Sequence, residues 1–267
     1  MDVQKVLFVS QEISPYLPDT ETSKRCFDLP QGIQELGAQV RTFMPKYGMI
    51  NERRNQLHEV IRLSGMNIII DDTDHPLIIK VATLPARSQV YFIYNDDFFA
   101  HTLTTELETI SSPSNNDERS IFFARGVIET VLKLRWDPSI IHCNGWITAL
   151  APVYMRELHN EDPSFRDAKI VYGLWNDDFE QPLDPRLAEK LKQDGFSDEA
   201  VADIMDKPVD PIALTKLAIS HSDAIIQCCE NIKPEVLEMV KASGLPFLPW
   251  NGDDNFVANC MEFYKTL

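Results

Sequence analysis

Long apolar runs are missing from this sequence. None approaches the roughly 18 residues that a bilayer-spanning helix requires. The N-terminal run Val6–Val9 gives way to polar Ser10, Gln11 and Glu12, too soon for a secretory signal. The expectation is a cytoplasmic protein with no membrane partner. Basic charge is also scarce: 25 Lys and Arg stand against 41 Asp and Glu, a formal net charge of −16. Such a surface repels phosphate backbones, so nucleic acid is not an expected partner. Cysteine is sparse and odd in number: Cys26, Cys143, Cys228, Cys229 and Cys260. That spacing makes no disulfide framework, and no CxxC pair points to zinc, so buried thiols are expected and no metal or cofactor is assigned. Internal repeats, low-complexity tracts and a clear interdomain linker are absent too.

What remains is enough to fold. Apolar residues make up 44% of 267 positions, which suffices for a large core. Lys5–Val9 reads as a short buried strand, followed by helical spacing at Cys26, Phe27, Leu29, Ile33 and Leu36 that stops at Gly37. Val40–Met44 then reads as a second strand. Met66–Ile70, Leu77–Val81 and Val90–Tyr94 are strand-like with short polar connections, an expected antiparallel excursion. Residues 109–119 read as a surface loop that hands over to a helix near Ser120. Strands at Ser139–Cys143, Ala168–Leu174 and Ala224–Cys228 alternate with helical segments at 147–158, 212–219 and 236–240, and 256–264 reads as a last helix. This rhythm predicts an α/β fold, a three-layer Rossmann-like domain with a mostly parallel sheet and an antiparallel insertion. The expected organisation is a single domain over 1–267, with the insertion at about 60–110 and a C-terminal extension, 246–267, packing back.

Four stretches carry a more specific signal. The first is Gln11-Glu12-Ile13-Ser14-Pro15-Tyr16, LPDTETSKRCFD, Leu29-Pro30, Leu36-Gly37, Val40 and Met44-Pro45-Lys46-Tyr47. It aligns without a gap to SExxPFxKTGGLADVxGxLPxALxxLGHxVxxxMPxY. Ile140-Ile141-His142-Cys143-Asn144-Gly145-Trp146 with Thr148-Ala149-Leu150 is similar to VHAHDWxTAL. Val171 to Asn176 stands where VFTIHNL would, and Ala218 to Glu230 is similar to the approach to ADxVxTVSP. Together these resemble the N-terminal catalytic domain of bacterial glycogen synthases and plant starch synthases, retaining glucosyltransferases that use ADP-glucose or UDP-glucose. The resemblance spans about residues 3–245 and implies one half of a GT-B fold.

Departures fall on the positions that the resemblance makes functional. The lysine of KTGG corresponds to Pro18, its glycines to Thr20 and Glu21, and the aspartate of LADV to Lys24. Proline brings neither cation nor N–H, and Glu21 brings a negative charge where a diphosphate needs neutralising. Asn144 and Gly145 replace a histidine and an aspartate, and Trp175 replaces another histidine, while Asn176 is kept. A charge-assisted hydrogen bond to a phosphate contributes about 1.5–3 kcal/mol, so a site without several of them binds far more weakly. In the resembling enzymes a second Rossmann-like domain holds most of the nucleotide sugar, and a chain ending at Leu267 is expected to lack it.

The resemblance therefore implies a degenerate member of glucan metabolism that does not transfer glucose alone. It leaves two alternatives: a glucosyltransferase half completed by a partner protein, or a non-catalytic module binding glucan, nucleotide sugar, another protein or a second copy over the vacated domain face. Exposed apolar residues on that face would point to a protein partner, a polar face to a free module.

Candidate substrate-binding residues are Glu12, His142, Asn144, Trp146 and Asn176. No protein nucleophile is nominated. Each candidate also has a structural reading. Glu12 serves equally as a backbone cap, His142 as a core histidine and Trp146 as a packing ring. Trp175, Asn176, Asp177, Asp178 and Glu180 read either as sugar or cation ligands or as a solvated acidic turn.

Overall fold

The computed structural model describes residues 3–84, 88–101, 114–179, 181–252 and 254–267. Seven strands run parallel in the order β10 (Phe247–Leu248), β9 (Ala224–Gln227), β8 (Lys169–Leu174), β7 (Ile140–Asn144), β1 (Lys5–Ser10), β2 (Gln39–Pro45) and β6 (Gln89–Tyr94). Beyond β6 the direction reverses. β5 (Thr73–Thr83) pairs antiparallel with β6, and both β3 (His58–Glu59) and β4 (Met66–Ile70) pair antiparallel with β5. β6 is thus the joint between the parallel sheet and its antiparallel excursion.

The central strands are apolar on both sides because both of their faces are covered. Within β1, Val6 and Phe8 point to one face, Leu7 and Val9 to the other, and all four are fully buried. The Leu7 side carries the larger core, in which helix α2 (Asn116–Leu134) and helix α3 (Leu150–Glu157) pack on Phe43, Phe92, Ile141 and Cys143. On the Val6 side lie helix α1 (Glu21–Glu35) and α7 (Phe256–Thr266), covering Phe8, Ile140, Val171, Ala224 and Ile226. The described residues also include α4 (Leu187–Gln193), α5 (Pro211–Ser220) and α6 (Pro234–Ser243).

Helix α1 starts at Glu21 rather than near Cys26, because Thr20 and Ser23 form a reciprocal cap. The Thr20 hydroxyl accepts from the Ser23 N–H, and the Ser23 hydroxyl accepts from the Thr20 N–H, each at 2.9 Å. Helix α2 begins at Asn116, a turn before the expected start. Residues 109–113 of the expected loop lie outside the described residues, as do the end of the 60–110 insertion and Glu180.

The chain leaves β1 for β2 on one side and returns through β7 on the other. The two carboxyl ends, Ser10 and Asn144, stand in register, and the Gln11 N–H donates to the Asn144 carbonyl at 2.9 Å. Loops diverging from such a switch point form the crevice where open α/β sheets bind ligands.

Candidate functional site

Around this crevice several polar groups are already engaged with one another. Glu12, just past β1, is buried, and its carboxyl accepts from the Thr20 hydroxyl at 2.5 Å. Burial raises its pKa, while Thr20 and the Ser23 N–H work against that rise. Glu12 therefore ties the β1 loop to the capped start of α1. Pro18 and Glu21 are exposed, and the Pro18 carbonyl accepts from the Ser23 hydroxyl. Lys24 lies 3.6 Å from Asp19, and Arg25 lies 3.3 Å from Glu21, so the nearby cations face acids at the start of α1.

His142 sits inside β7 with no solvent exposure. Its Nδ1 shares a 2.7 Å hydrogen bond with the Tyr264 hydroxyl of α7, and burial pulls its pKa down to about 3. It is a neutral core histidine. Asn144 is buried at the strand end. Its Oδ1 accepts from the Trp175 indole N–H at 3.1 Å and from the Cys228 thiol at 3.8 Å. Gly173 makes this convergence possible: a Cβ there would lie 2.6 Å from Asn144 Oδ1, 2.9 Å from His142 Nε2 and 3.0 Å from Cys228 Sγ. Gly145 has φ +95°, and a Cβ would lie 2.6 Å from that of Gln11, so an aspartate would not fit this backbone.

The Trp146 ring is buried against the edge of Phe179, with centroids 5.2 Å apart. Its backbone N–H donates to Asp177 Oδ2 at 2.7 Å. Burial pushes Asp177 up to about 7. The Trp146 N–H opposes that shift, while the negative charges of Glu12 and Asp178 add to it. Asn176 is exposed beside it, and Asp178 pairs with Lys233 at 2.7 Å. Tyr172, Trp175, Asn176, Asp178, Thr215 and Lys233 border a slot of about 20 Å³, room for about one water molecule.

The structure thus gathers Glu12, Asn144, Trp146 and Asn176 at one end of the sheet and sinks His142 beneath them. Sequence reading missed three participants. Arg25 stands at the valine of LADV, and its guanidinium lies over Trp250, Phe256 and Trp175. Tyr264 is the partner of His142. Gly173 offered no signal of its own. Arg25 also donates to the Cys228 carbonyl, yet burial holds the Cys228 thiol well above its ordinary range. Among the described residues no three His, Cys, Asp or Glu side chains come together as a metal site, and no helix is long and apolar enough to cross a membrane.

Comparison with known proteins places this geometry. The glycogen synthase of Chlorobaculum parvum is 34% identical over 223 residues, 83% of this chain and 45% of the relative. That of Chlorobium chlorochromatii is 38% identical over 174 residues, 64% of this chain and 36% of the relative. The chain therefore spans less than half the length of these relatives. The catalytic domain of Starch Synthase IV from Arabidopsis thaliana, bound to ADP and acarbose, superposes with a TM-score of 0.73 at 19% identity, over 94% of this chain and 52% of that one. The fold is that of a GT-B half. Residues 5–246 match the starch synthase catalytic domain model, and the chain belongs to this glycogen and starch synthase family.

Proposed function

We propose that this domain is a glucan-binding member of its family that does not transfer glucose from ADP-glucose or UDP-glucose by itself. One observation carries the reading. Glu12, Asn144 and Asp177, three polar side chains at the strand ends, already hold Thr20, Trp175 and Trp146, and the slot beside Trp175 and Asp177 admits about one water molecule. A diphosphate at these strand ends, on the side of Glu21 and Pro18, would have to break these bonds, at about 1.5–3 kcal/mol for each charge-assisted one. The outer rim favours a free module over a protein partner. Pro18, Asp19, Glu21, Asn176, Asp178, Glu230 and Asn231 are exposed, while Ile13, Tyr16, Leu17, Phe179 and Leu183 turn inward. Partly exposed Trp175 and Trp250 offer ring faces, and the neighbouring amides and carboxylates suit sugar hydroxyls.

The test is calorimetric titration of the purified protein with ADP-glucose, UDP-glucose and maltooligosaccharides. Saturable binding of maltooligosaccharide alone is expected. Saturable nucleotide-sugar binding, with nucleoside diphosphate released on adding glucan, would overturn the proposal.

A further inference from the structure

The cover on the Val6 side of the sheet is fastened at two polar points. At its near end, Arg25 of α1 reaches past the strand ends. Its guanidinium carbon lies 4.2 Å from the Trp250 ring centroid, 5.1 Å from Phe256 and 5.8 Å from Trp175. The same head donates to the Cys228 carbonyl and lies 3.3 Å from Glu21, and the side chain is only 11% exposed. An arginine so enclosed is stable only while its partners and the flat rings replace water. Trp250 is tied in turn by its N–H to Gln227 Oε1 at 3.3 Å, and its ring leans on Phe256 at 5.5 Å.

At the far end, Tyr264 holds His142 at 2.7 Å. Between these points α7 buries Phe256, Cys260, Met261 and Tyr264 and half-buries Val257 and Phe263, while Ala258, Glu262, Lys265 and Thr266 face solvent. Beneath it Cys228 touches Asn144 Oδ1 and approaches His142 Nε2 at 4.0 Å. The segment that covers the sheet thus also roofs the crevice floor.

We propose that Trp250 and helix α7 form a strap latched by Arg25, which opens as a unit and controls access to Asn144 and Cys228. Displacing the rings from Arg25 frees the near end, and the Tyr264 bond and the apolar contacts with the sheet and α1 then hold the helix. Opening uncovers two thiols that are fully buried when the strap is closed, Cys228 on the sheet and Cys260 on the strap. Cys143 lies in the opposite core and stays covered. The proposal concerns access alone and holds for whatever ligand the domain takes.

Thiol alkylation of the full chain under native conditions, mapped by mass spectrometry, tests it without any ligand. Arg25→Met keeps the stem and removes the charge. It is expected to speed labelling of Cys228 and Cys260 together by about tenfold, with Cys143 unchanged and Arg25→Lys intermediate. Wild-type protein in sub-denaturing urea gives an independent reading, in which Cys228 and Cys260 label with a shallower urea dependence than Cys143. Wild-type rates at Cys228 and Cys260 in Arg25→Met would overturn the latch. An equal rise at Cys143, or one urea dependence for all three thiols, would overturn the strap.

Discussion

Asp177 and His142 lie at the same end of the sheet and respond to pH in opposite senses. Burial lifts Asp177 to about 7, against about 3.9 in an unfolded chain. Its contribution to stability is therefore complete below about pH 4 and is lost as pH rises through about 7. Burial depresses His142 to about 3, against about 6.5 unfolded. Its contribution is complete above about pH 6.5 and is lost as pH falls toward 3. Between about pH 4 and 6.5 the two slopes cancel. Asp177→Asn keeps an acceptor for the Trp146 N–H and removes one slope. The urea midpoint of the variant should gain steadily on that of the wild type from about pH 4 to 7, and by pH 8 the variant should lead by about 2 kcal/mol, the solvent at the carboxyl trimming the full shift. Parallel pH profiles for the two proteins would show that Asp177 is charged throughout.

At the scale of elements, the α1–α7 contact rests on Gly32, where a Cβ would lie 2.6 Å from Val257 Cγ1. Alanine is worth up to about 1 kcal/mol over glycine in an open helix. Here the crowding should outweigh that gain, so Gly32→Ala should destabilise by about 1–2 kcal/mol. Adding Val257→Ala should recover most of the loss, and a double-mutant cycle in urea reads the coupling. The sequence made elements legible wherever burial was purely apolar. β1, β7, β8 and β9 are short apolar runs, and their parallel order follows from the helical spacing between them. Starts of helices were hidden because they are buried through polar groups. Asn116 and Asp117 look like loop, yet Asp117 is buried 2.6 Å from Lys190, whose ammonium also meets Glu118 at 2.7 Å. Of the site, the strand-end motifs were readable as positions, but their partners were not. The bond from His142 to Tyr264 crosses 122 residues, and no local pattern encodes it.

Taken as a whole, the molecule is an acidic body with a net charge of −16, and at its crevice Lys24 and Arg25 face Asp19 and Glu21. The sign of a salt effect therefore reports on the crevice. A cationic cradle loses anions as salt rises, because screening weakens attraction; an acidic surface loses its repulsion instead. Any residual affinity for ADP should accordingly rise between about 20 mM and 300 mM salt, as the Debye length shrinks from about 20 Å to 6 Å. The paired substitution Pro18→Lys with Glu21→Gly shifts the local charge by two units and returns a lysine and a glycine to the α1 loop. It should reverse that slope and tighten ADP binding about tenfold, the equivalent of one charge-assisted hydrogen bond. A reversed slope without tighter binding would assign the exclusion of nucleotide to the bond between Trp175 and Asn144, which fills the crevice whatever the charge at its rim.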